Sequence, residues 1–319
     1  MIDRTEDEIM RNWKNNLSRP LVSICTITYD HEKFIEEALD SFLMQQTDFP
    51  FEIVIDDDAS KDKTPEIIGK YAEKYPKIIN ANLRKKNIGS KKNYLYNLSR
   101  AEGKYIAICE GDDYWIDECK LKKQTDFLEK NNDYVMIAHN VLSIDFSNPD
   151  KFFLSRNQNI KERDFTLIDM ISMNPIPSLT KMFRNNYVNE IPGIFDDIFM
   201  VDRIHNILLS QYGKCKFINQ ITGVYRKHSE GISDRFRQEN YKSKLFFYDQ
   251  EEKFLYACSK YFSGMFNDEI DNLIEKINYK KMKLALKNLK IDIAIKSAKK
   301  IQHSKEYKYS AIIDLLKRL

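Results

Sequence analysis

The sequence predicts an α/β domain, a mostly parallel sheet flanked by helices, followed by a helical C-terminal appendage. Three observations carry this expectation. Between Leu21 and about His139, short apolar runs alternate with segments of helical period, the arrangement in which a helix returns the chain to the next parallel strand. The strongest runs end in acid, Ile55-Asp56-Asp57-Asp58 and Cys109-Glu110-Gly111-Asp112-Asp113, at the sheet edge where open α/β folds bind ligands. From about residue 265 onward the chain is basic, and its apolar residues recur at roughly helical spacing.

Val22-Ser-Ile-Cys-Thr-Ile reads as the first strand. Phe34, Ala38, Leu39, Phe42 and Leu43 then fall on one helical face, which predicts a helix over about residues 32 to 46. Phe51-Glu-Ile-Val-Ile is the second strand. Thr64 to Tyr75 is the second helix, with Thr64 as N-cap ahead of Pro65 at the first helical position. Ile78-Ile-Asn-Ala is a weak third strand, Asn87-Ile-Gly-Ser-Lys-Lys-Asn opens a helix running to about Arg100, and Lys104-Tyr-Ile-Ala-Ile-Cys is a strong strand. Beyond His139 the pattern is less regular. Asn174-Pro-Ile-Pro marks a loop, and a helix from about Asp202 to Gln211 is stopped by Gly213. In the C-terminal region the apolar set is Leu284, Leu286, Leu289, Ile291, Ile295, Ile301, Ile312, Leu315 and Leu316.

Composition excludes several classes. With 319 residues, 42% hydrophobic and 31% charged, the chain suits a large folded domain with an appendage. A net charge of +3, without a basic segment interleaved with aromatics in the motif-bearing half, argues against nucleic acid as a partner. Five cysteines without CxxC spacing suggest neither a disulfide framework nor a zinc ribbon, and reduced, packed thiols are expected. The segment Met1-Ile-Asp-Arg-Thr-Glu-Asp-Glu lacks an apolar leader core, and no run approaches the roughly 20 apolar residues of a membrane helix, so a cytoplasmic protein is expected.

The chemistry concentrates in acid. Burying ionised carboxylates costs several kcal/mol unless a cation or donors compensate, so Asp112 and Asp113 either face water or hold something positive. Asp56, Asp57 and Asp58 form a second acidic point, and Asp196, Asp197 and Asp202 a third. Hard oxygen ligands of this kind suit Mg2+ or Mn2+, with water and substrate phosphates completing the coordination. Neither GxGxxG nor GxxxxGK[ST] occurs, so a metal and basic side chains would have to meet a diphosphate.

Pro20-Leu-Val-Ser-Ile-Cys-Thr-Ile-Thr-Tyr-Asp, Asp57-Asp58-Ala-Ser-Lys-Asp-Lys-Thr, Glu110-Gly-Asp-Asp-Tyr-Trp and Tyr225-Arg-Lys-His-Ser-Glu-Gly-Ile-Ser together resemble the family 2 glycosyltransferases of the GT-A fold. The resemblance runs from about residue 20 to 235. It implies an inverting enzyme that takes a sugar from a nucleotide-diphospho-sugar, UDP being favoured, to a glycan or lipid-linked acceptor. It implies a nucleotide-sugar site at Thr28, Tyr29, Asp57, Asp58, Lys92 and Asp112. Tyr29 would stack on the base, and Asp58 would accept from a ring N–H, with Asp57 as its competitor because Asp56 adds a third acid. Asp113 and His228 match metal or diphosphate contacts, and Asp112 a ribose or metal-water contact. Asp202, eleven residues before Gly213, matches the general base, with Asp196 and Asp197 as competitors because Arg203 stands where an aromatic is common. Trp115, Ser178 and Thr180 are the acceptor candidates.

On this reading residues 1–19 are an N-terminal helical extension. Residues 20–240 are the catalytic domain, divided at 140 into nucleotide-sugar and acceptor halves, and 241–319 are the basic helical region. That region packs on the catalytic domain or, in the sharper reading, attaches peripherally to an anionic membrane face. Homo-oligomerisation is compatible with the sequence. Two rivals remain. Asp56-x-Asp58 after an apolar strand mimics the nucleophile motif of a haloacid-dehalogenase-like phosphatase, but a complete strand-helix unit precedes it. A non-catalytic carbohydrate-binding or scaffold protein could also keep the fold.

Overall fold

The computed structural model describes residues 2–14, 19–146, 148–154, 161–187, 190–229, 231, 240–301, 307, 310, 311 and 314. A short helix α1 (Glu6–Met10), closed by a capping box between Thr5 and Glu8, precedes the sheet. Then come β1 (Val22–Thr28), α2 (Ile35–Leu43), β2 (Phe51–Asp57), α3 (Thr64–Lys74), β3 (Ile79–Leu83), α4 (Ser90–Ser99) and β4 (Tyr105–Ile108). Strand and helix alternate through this half, and β3, β2, β1 and β4 lie side by side in parallel.

The chain continues through β5 (Tyr114–Trp115), α5 (Lys120–Lys130), β6 (Tyr134–Asp145), β7 (Asn148–Leu154), β8 (Arg163–Phe165), α6 (Leu167–Met173), β9 (Met182–Arg184), α7 (Val201–Leu209) and β10 (Lys214–Lys227). The full sheet runs β3-β2-β1-β4-β9-β6-β10-β5, with β7 on β6 and β8 on β10. It is mixed, which corrects the expectation of a mostly parallel sheet. β10 and β6 are parallel, whereas β9 runs antiparallel to both β4 and β6, and β5 and β8 run antiparallel to β10. β7 is antiparallel to β6 as well, because it follows β6 too closely for the long crossover that a parallel return needs.

The predicted helix over 32–46 is shorter, Ile35–Leu43, because the residues before it are claimed by a loop: His31 N–H donates to Thr64 Oγ1 and Glu32 N–H to Asp62 Oδ2. The same bond corrects the predicted cap. Thr64 is the first residue of α3, and its hydroxyl serves His31 rather than its own helix, which Lys63 precedes without a side-chain cap.

The core of this first unit gathers Val22, Ile24, Ile53 and Ile55 of the sheet with Ala38, Leu39, Phe42, Ile68 and Tyr71 of the covering helices. One carboxylate is built into it. Asp56, fully buried, accepts from Arg100 Nη1 at 2.6 Å, Asn97 Nδ2 at 2.8 Å and Asn82 Nδ2 at 2.5 Å. The third acid of the Asp56-Asp57-Asp58 run therefore fastens α4 and β3 to β2, and such a pair is costly to break from one side.

A second compact unit comprises Pro192–Met200 and His228–Leu319. Its helices are α8 (Tyr241–Tyr261), α9 (Asn267–Lys287) and α10 (Ile291–Ala298). Met282, Ala285, Leu286, Ala294, Ile301 and Ala311 form its small core. Of the predicted apolar set, Leu286 and Ile301 are buried, but Leu289 is 78% exposed. It takes a left-handed turn with φ 56° between α9 and α10 and so leaves the helical face. Ile295 is exposed as well, while Ile312, Leu315 and Leu316 lie outside the described residues. Among the described residues, no helix is long and apolar enough to cross a membrane.

Beside that core lies a buried ion cluster, in which Glu252 accepts from Lys281 at 2.8 Å, Lys300 at 2.6 Å and Asn278 Nδ2 at 3.1 Å. Burial opposes the charged form of Glu252, but the donors Lys281, Lys300 and Asn278 outweigh it and hold the carboxyl below its ordinary 4.5. A depressed carboxylate contributes stability above its unfolded value and loses it as pH falls through the folded one. Thermal unfolding followed by helix circular dichroism is therefore expected to weaken below about pH 4.5, and E252Q is expected to blunt that acid dependence. K281M, which removes one partner of the cluster, is expected to cost on the order of 3 kcal/mol.

Candidate active site

Because β1, β2 and β4 are parallel, the residues that follow them emerge at one edge. Thr28 pairs with Asp57 at the last rung. Beyond β4 the chain stays against β1, with Cys109 N–H donating to Cys25 O and Gly111 N–H to Ile27 O. A side chain there would be tight. A Cβ at Gly111 would lie 3.0 Å from Ile35 Cδ1, 3.0 Å from Thr28 Cβ and 3.1 Å from His31 Nδ1. Thr28 Oγ1 is buried with no hydrogen-bond partner among the described residues, a polar atom left for a ligand or water. Tyr29 stands at the lip, 36% exposed.

The two remaining acids at the end of β2 tie down loops. Asp57 accepts from the backbone N–H of Ser60 at 2.9 Å and from its hydroxyl, and burial raises its pKa against those bonds. Asp58 accepts from the N–H groups of Ile88 at 2.8 Å and Gly89 at 2.9 Å, fixing the turn that opens α4. Lys92, on that helix, is exposed.

The turn after β4 brings Glu110, Asp112 and Asp113 to the same edge. Asp113 is 2% exposed, and its Oδ1 accepts from the backbone N–H of Arg226 at 2.8 Å. Arg226 reaches it because β10 pairs with β5, Val224 opposite Tyr114. Its guanidinium donates through Nε to Asp112 O at 2.5 Å, through Nη1 to Glu37 at 2.6 Å and through Nη2 to Phe34 O at 3.1 Å, and it lies 4.9 Å from the ring centres of both Phe34 and Tyr114. His31 Nε2 is 3.7 Å from Asp112 Oδ2. Burial, then the charges of Asp112 and Glu110, push the Asp113 carboxyl well above its ordinary range, and burial with Asp112 pushes Glu110 up to about 7.

Glu110 and Asp113, which resist ionisation beside Asp112, make a site that a cation would relieve. Among the described residues, however, no three His, Cys, Asp or Glu side chains converge to cage a metal. The donor set fits a hard divalent ion that keeps water and substrate oxygens, and it does not fit an all-protein site.

Across from this turn stands Asp202, in the first turn of α7, where the helix dipole favours negative charge. Its Oδ2 accepts from Asn174 Nδ2 at 3.2 Å. Asp202 and Glu110 lie within electrostatic reach of each other and of Lys181. Lys181 is completely buried and donates to Asn206 Oδ1 at 3.0 Å. Burial draws its pKa down to about 8, against the pull of Asp202 and Glu110.

The family model "Glycosyl transferase family 2" matches residues 23–191, more than half of the chain. The chain belongs to glycosyl transferase family 2. An uncharacterized protein of Mycobacterium tuberculosis is 36% identical over 213 residues, 66% of this chain and 60% of that relative. The chain therefore matches under two thirds of its relative's length. The poly(ribitol-phosphate) beta-N-acetylglucosaminyltransferase TarS of Staphylococcus aureus is 34% identical over 118 residues, 36% of this chain and 20% of TarS. The crystal structure of TarS residues 1–349 superposes with a TM-score of 0.56 at 16% identity, covering 92% of this chain and 91% of that one. The mannosyltransferase PcManGT of Pyrobaculum calidifontis superposes with a TM-score of 0.57 at 14% identity, covering 97% and 90%. At these identities the two structures speak for the fold.

Of the residues read from the sequence, this family 2 chain brings Thr28, Tyr29, Asp57, Asp58, Asp112, Asp113 and Asp202 to one edge of its first unit. His228, Asp196 and Asp197 belong to the second unit, where the His228 carbonyl accepts from Gly231 N–H and both aspartates are exposed. Two acceptor candidates are corrected. Trp115 is 1% exposed, with Nε1 donating to Leu179 O at 2.7 Å and its ring packed on Phe42, so it is core. Thr180 is buried too, its hydroxyl closing a 3-10 turn onto Pro177 O at 2.9 Å, while Ser178 is half-buried in that turn. The phosphatase reading loses its nucleophile, since Asp56 is enclosed by Arg100, Asn97 and Asn82. Arg226, Lys181, Asn174 and Asn206 were missed. Arg226 stood inside a quoted motif, and Asn206 is one helical turn from Asp202.

Two glycine replacements separate the close approach from ordinary backbone entropy. G111A is expected to cost about 1–3 kcal/mol through overpacking. G69A, on α3 with nothing within 4 Å of its would-be Cβ, is expected to be neutral or stabilising by up to about 1 kcal/mol. Urea unfolding curves of the two variants measure the contrast.

Proposed function

We propose that this chain is an inverting glycosyltransferase of GT-A type that moves a sugar from a nucleotide-diphospho-sugar to a hydroxyl of a glycan or lipid-linked acceptor. The observation that carries the reading is the placement of a separate carboxylate, Asp202, within electrostatic reach of the acidic turn Glu110–Asp113, in a chain of this family. The relatives support the donor class. TarS residues 1–349 have been crystallised with UDP-GlcNAc, and PcManGT with GDP-Man and Mn2+.

In this mechanism the acceptor hydroxyl is a poor nucleophile near neutral pH, and Asp202 takes its proton as the new anomeric bond forms. Attack from the face opposite the departing nucleotide inverts the anomeric centre. Tyr29 stacks on the base, Asp58 or Asp57 reads it, and Thr28 Oγ1 and Lys92 are candidates for donor contacts. Asp113, with Asp112, would hold a Mn2+ or Mg2+ ion, which when bound would neutralise charge on the diphosphate. Arg226 holds the Asp112-Asp113 turn through its bonds to Asp112 O and Asp113 Oδ1, and Ser178, half-buried, is the acceptor candidate that is left.

Two variants separate the roles. D113N is expected to abolish both turnover and metal-dependent stabilisation by nucleotide. D202N is expected to lower turnover by about 100-fold or more while leaving that stabilisation intact. Thermal shift with UDP, GDP and CDP, with and without Mn2+, together with a screen of nucleotide-sugars for nucleotide release, reads both. Turnover by D202N at the wild-type rate would remove Asp202 as the base. R226A is expected to lose about 100-fold in turnover, because an ångström of drift at the turn is enough, and R226K to recover only part of it, since a point charge cannot replace the fork.

A further inference from the structure

We propose that Lys181 is a positioning residue for the carboxylate of Asp202, acting through a fixed chain of two asparagine amides. Lys181 Nζ donates to Asn206 Oδ1 at 3.0 Å, Asn206 Nδ2 to Asn174 Oδ1 at 3.3 Å, and Asn174 Nδ2 to Asp202 Oδ2 at 3.2 Å. The inference rests on the reading of Asp202 as the base and says what aims it.

The direction of the chain is determined by its ends. An ammonium can only donate, so Asn206 must turn its oxygen to Lys181 and its NH2 to Asn174. A carboxylate can only accept, so Asn174 must turn its NH2 to Asp202. Every donor thus runs from cation to anion, and each bond polarises the next. The backbone prepares the pieces. Asn206 lies one turn beyond Asp202 on the same face of α7. Asn174 ends α6 in the left-handed region, φ 43°, which asparagine tolerates better than most residues. Lys181 is held by its own backbone, its N–H on Ser178 O at 3.1 Å and its carbonyl accepting from Ile108 N–H at 3.2 Å.

A purely structural role explains this poorly. Lys181 is wholly buried, and among the described residues its ammonium meets the amide oxygen of Asn206 and no carboxylate within ion-pair distance. A lone buried ammonium is costly, and a methionine or leucine would fill the space more stably. The charged or titratable groups around it are Asp202 and His205 of α7 and Glu110 after β4, and burial keeps His205 neutral. The Phe183 ring, 5.9 Å away, adds a weak cation–π contact. The anions are therefore met through amides or across space rather than directly, an arrangement that fixes orientation.

The test uses the full chain with 13Cε-labelled lysine, so that one readout is independent of turnover. One lysine resonance is expected to titrate near pH 8 and to vanish in K181M. Removing the anion at the far end, in D202N, is expected to move that midpoint down. In turnover, K181M is expected to lose about 10- to 100-fold in kcat with donor KM within about twofold. The alkaline fall of the wild-type pH–rate profile near pH 8 is expected to be absent in K181M. N174G, whose residue accepts a left-handed backbone, cuts the chain at its last link, leaves Lys181 in place and is expected to lose the same kcat. It also carries the test should K181M fail to fold. A D202N midpoint equal to wild type, or wild-type kcat in N174G, overturns the proposal. If the wild type releases no nucleotide from any donor yet both D202N and N174G shift the Lys181 midpoint, the link from Lys181 to Asp202 stands and the transferase reading falls.

Discussion

The constraint on which this structure turns is like-charge crowding after β4. Glu110, Asp112 and Asp113 fall within four residues, and burial and mutual repulsion push Glu110 and Asp113 toward their neutral forms. A turn of this kind does not hold its shape unaided. Two buried cations flank it from different parts of the chain. Arg226 clamps the Asp112-Asp113 side through its backbone N–H and guanidinium, and Lys181 lies within electrostatic reach of Glu110 and Asp202 on the other. Neither neutralises the turn by a direct side-chain ion pair with these acids. Arg226 makes its ion pair with Glu37 rather than with the carboxyls of the turn.

Three consecutive aspartates at the end of β2 show how environment, not residue type, assigns a role. Asp56 faces inward and is consumed by Arg100, Asn97 and Asn82, so it is scaffold. Asp57 holds Ser60, and Asp58 holds Ile88 and Gly89, so each stiffens a loop that borders the ligand edge. A carboxylate oxygen has more than one lone pair, so anchoring a loop and reading a base are compatible tasks for Asp57 or Asp58. The rigidity of this edge follows from bonds that cross between loops, among them Asp30 N–H to Ser60 Oγ at 2.8 Å and Lys61 N–H to Asp30 Oδ1 at 2.8 Å.

The first half of the fold was legible because its signals are local. β1, β2 and β4 are compact apolar runs, and α2 and α3 show one-sided periodicity. The acidic turns could be read as site material for the same reason, since an uncompensated charge beside a buried strand is improbable. The second half was not legible in that way. β10 is 14 residues long, and register shifts between Ile218 and Ile221 and between Ile221 and Gly223 interrupt its alternation, while β9 and β5 are too short to carry a period. Trp115 could be read either as packing at the sheet edge or as an acceptor contact, and its burial decides for packing, since adjacency to Asp113 along the chain says nothing about which face of β5 points inward. Lys181 could have been noticed as a lone charge within Leu179-Thr-Lys-Met-Phe183, but only three-dimensional packing shows that it faces Asn206.

The mixed sheet is what joins the two halves of the site. β9 pairs antiparallel with β4, Ala107 opposite Met182 and Tyr105 opposite Arg184. The start of β9 therefore lies at the end of β4, and Lys181, the residue before β9, emerges beside the acidic turn. Had β9 run parallel to β4, Lys181 would sit at the opposite edge and its link to Asn206 and Asp202 would be lost. The same logic holds for Arg226, which reaches Asp113 because β10 meets β5 in antiparallel register. The antiparallel strands that break the nucleotide-fold pattern are thus the elements that deliver buried positive charge to the acidic edge built by the parallel ones.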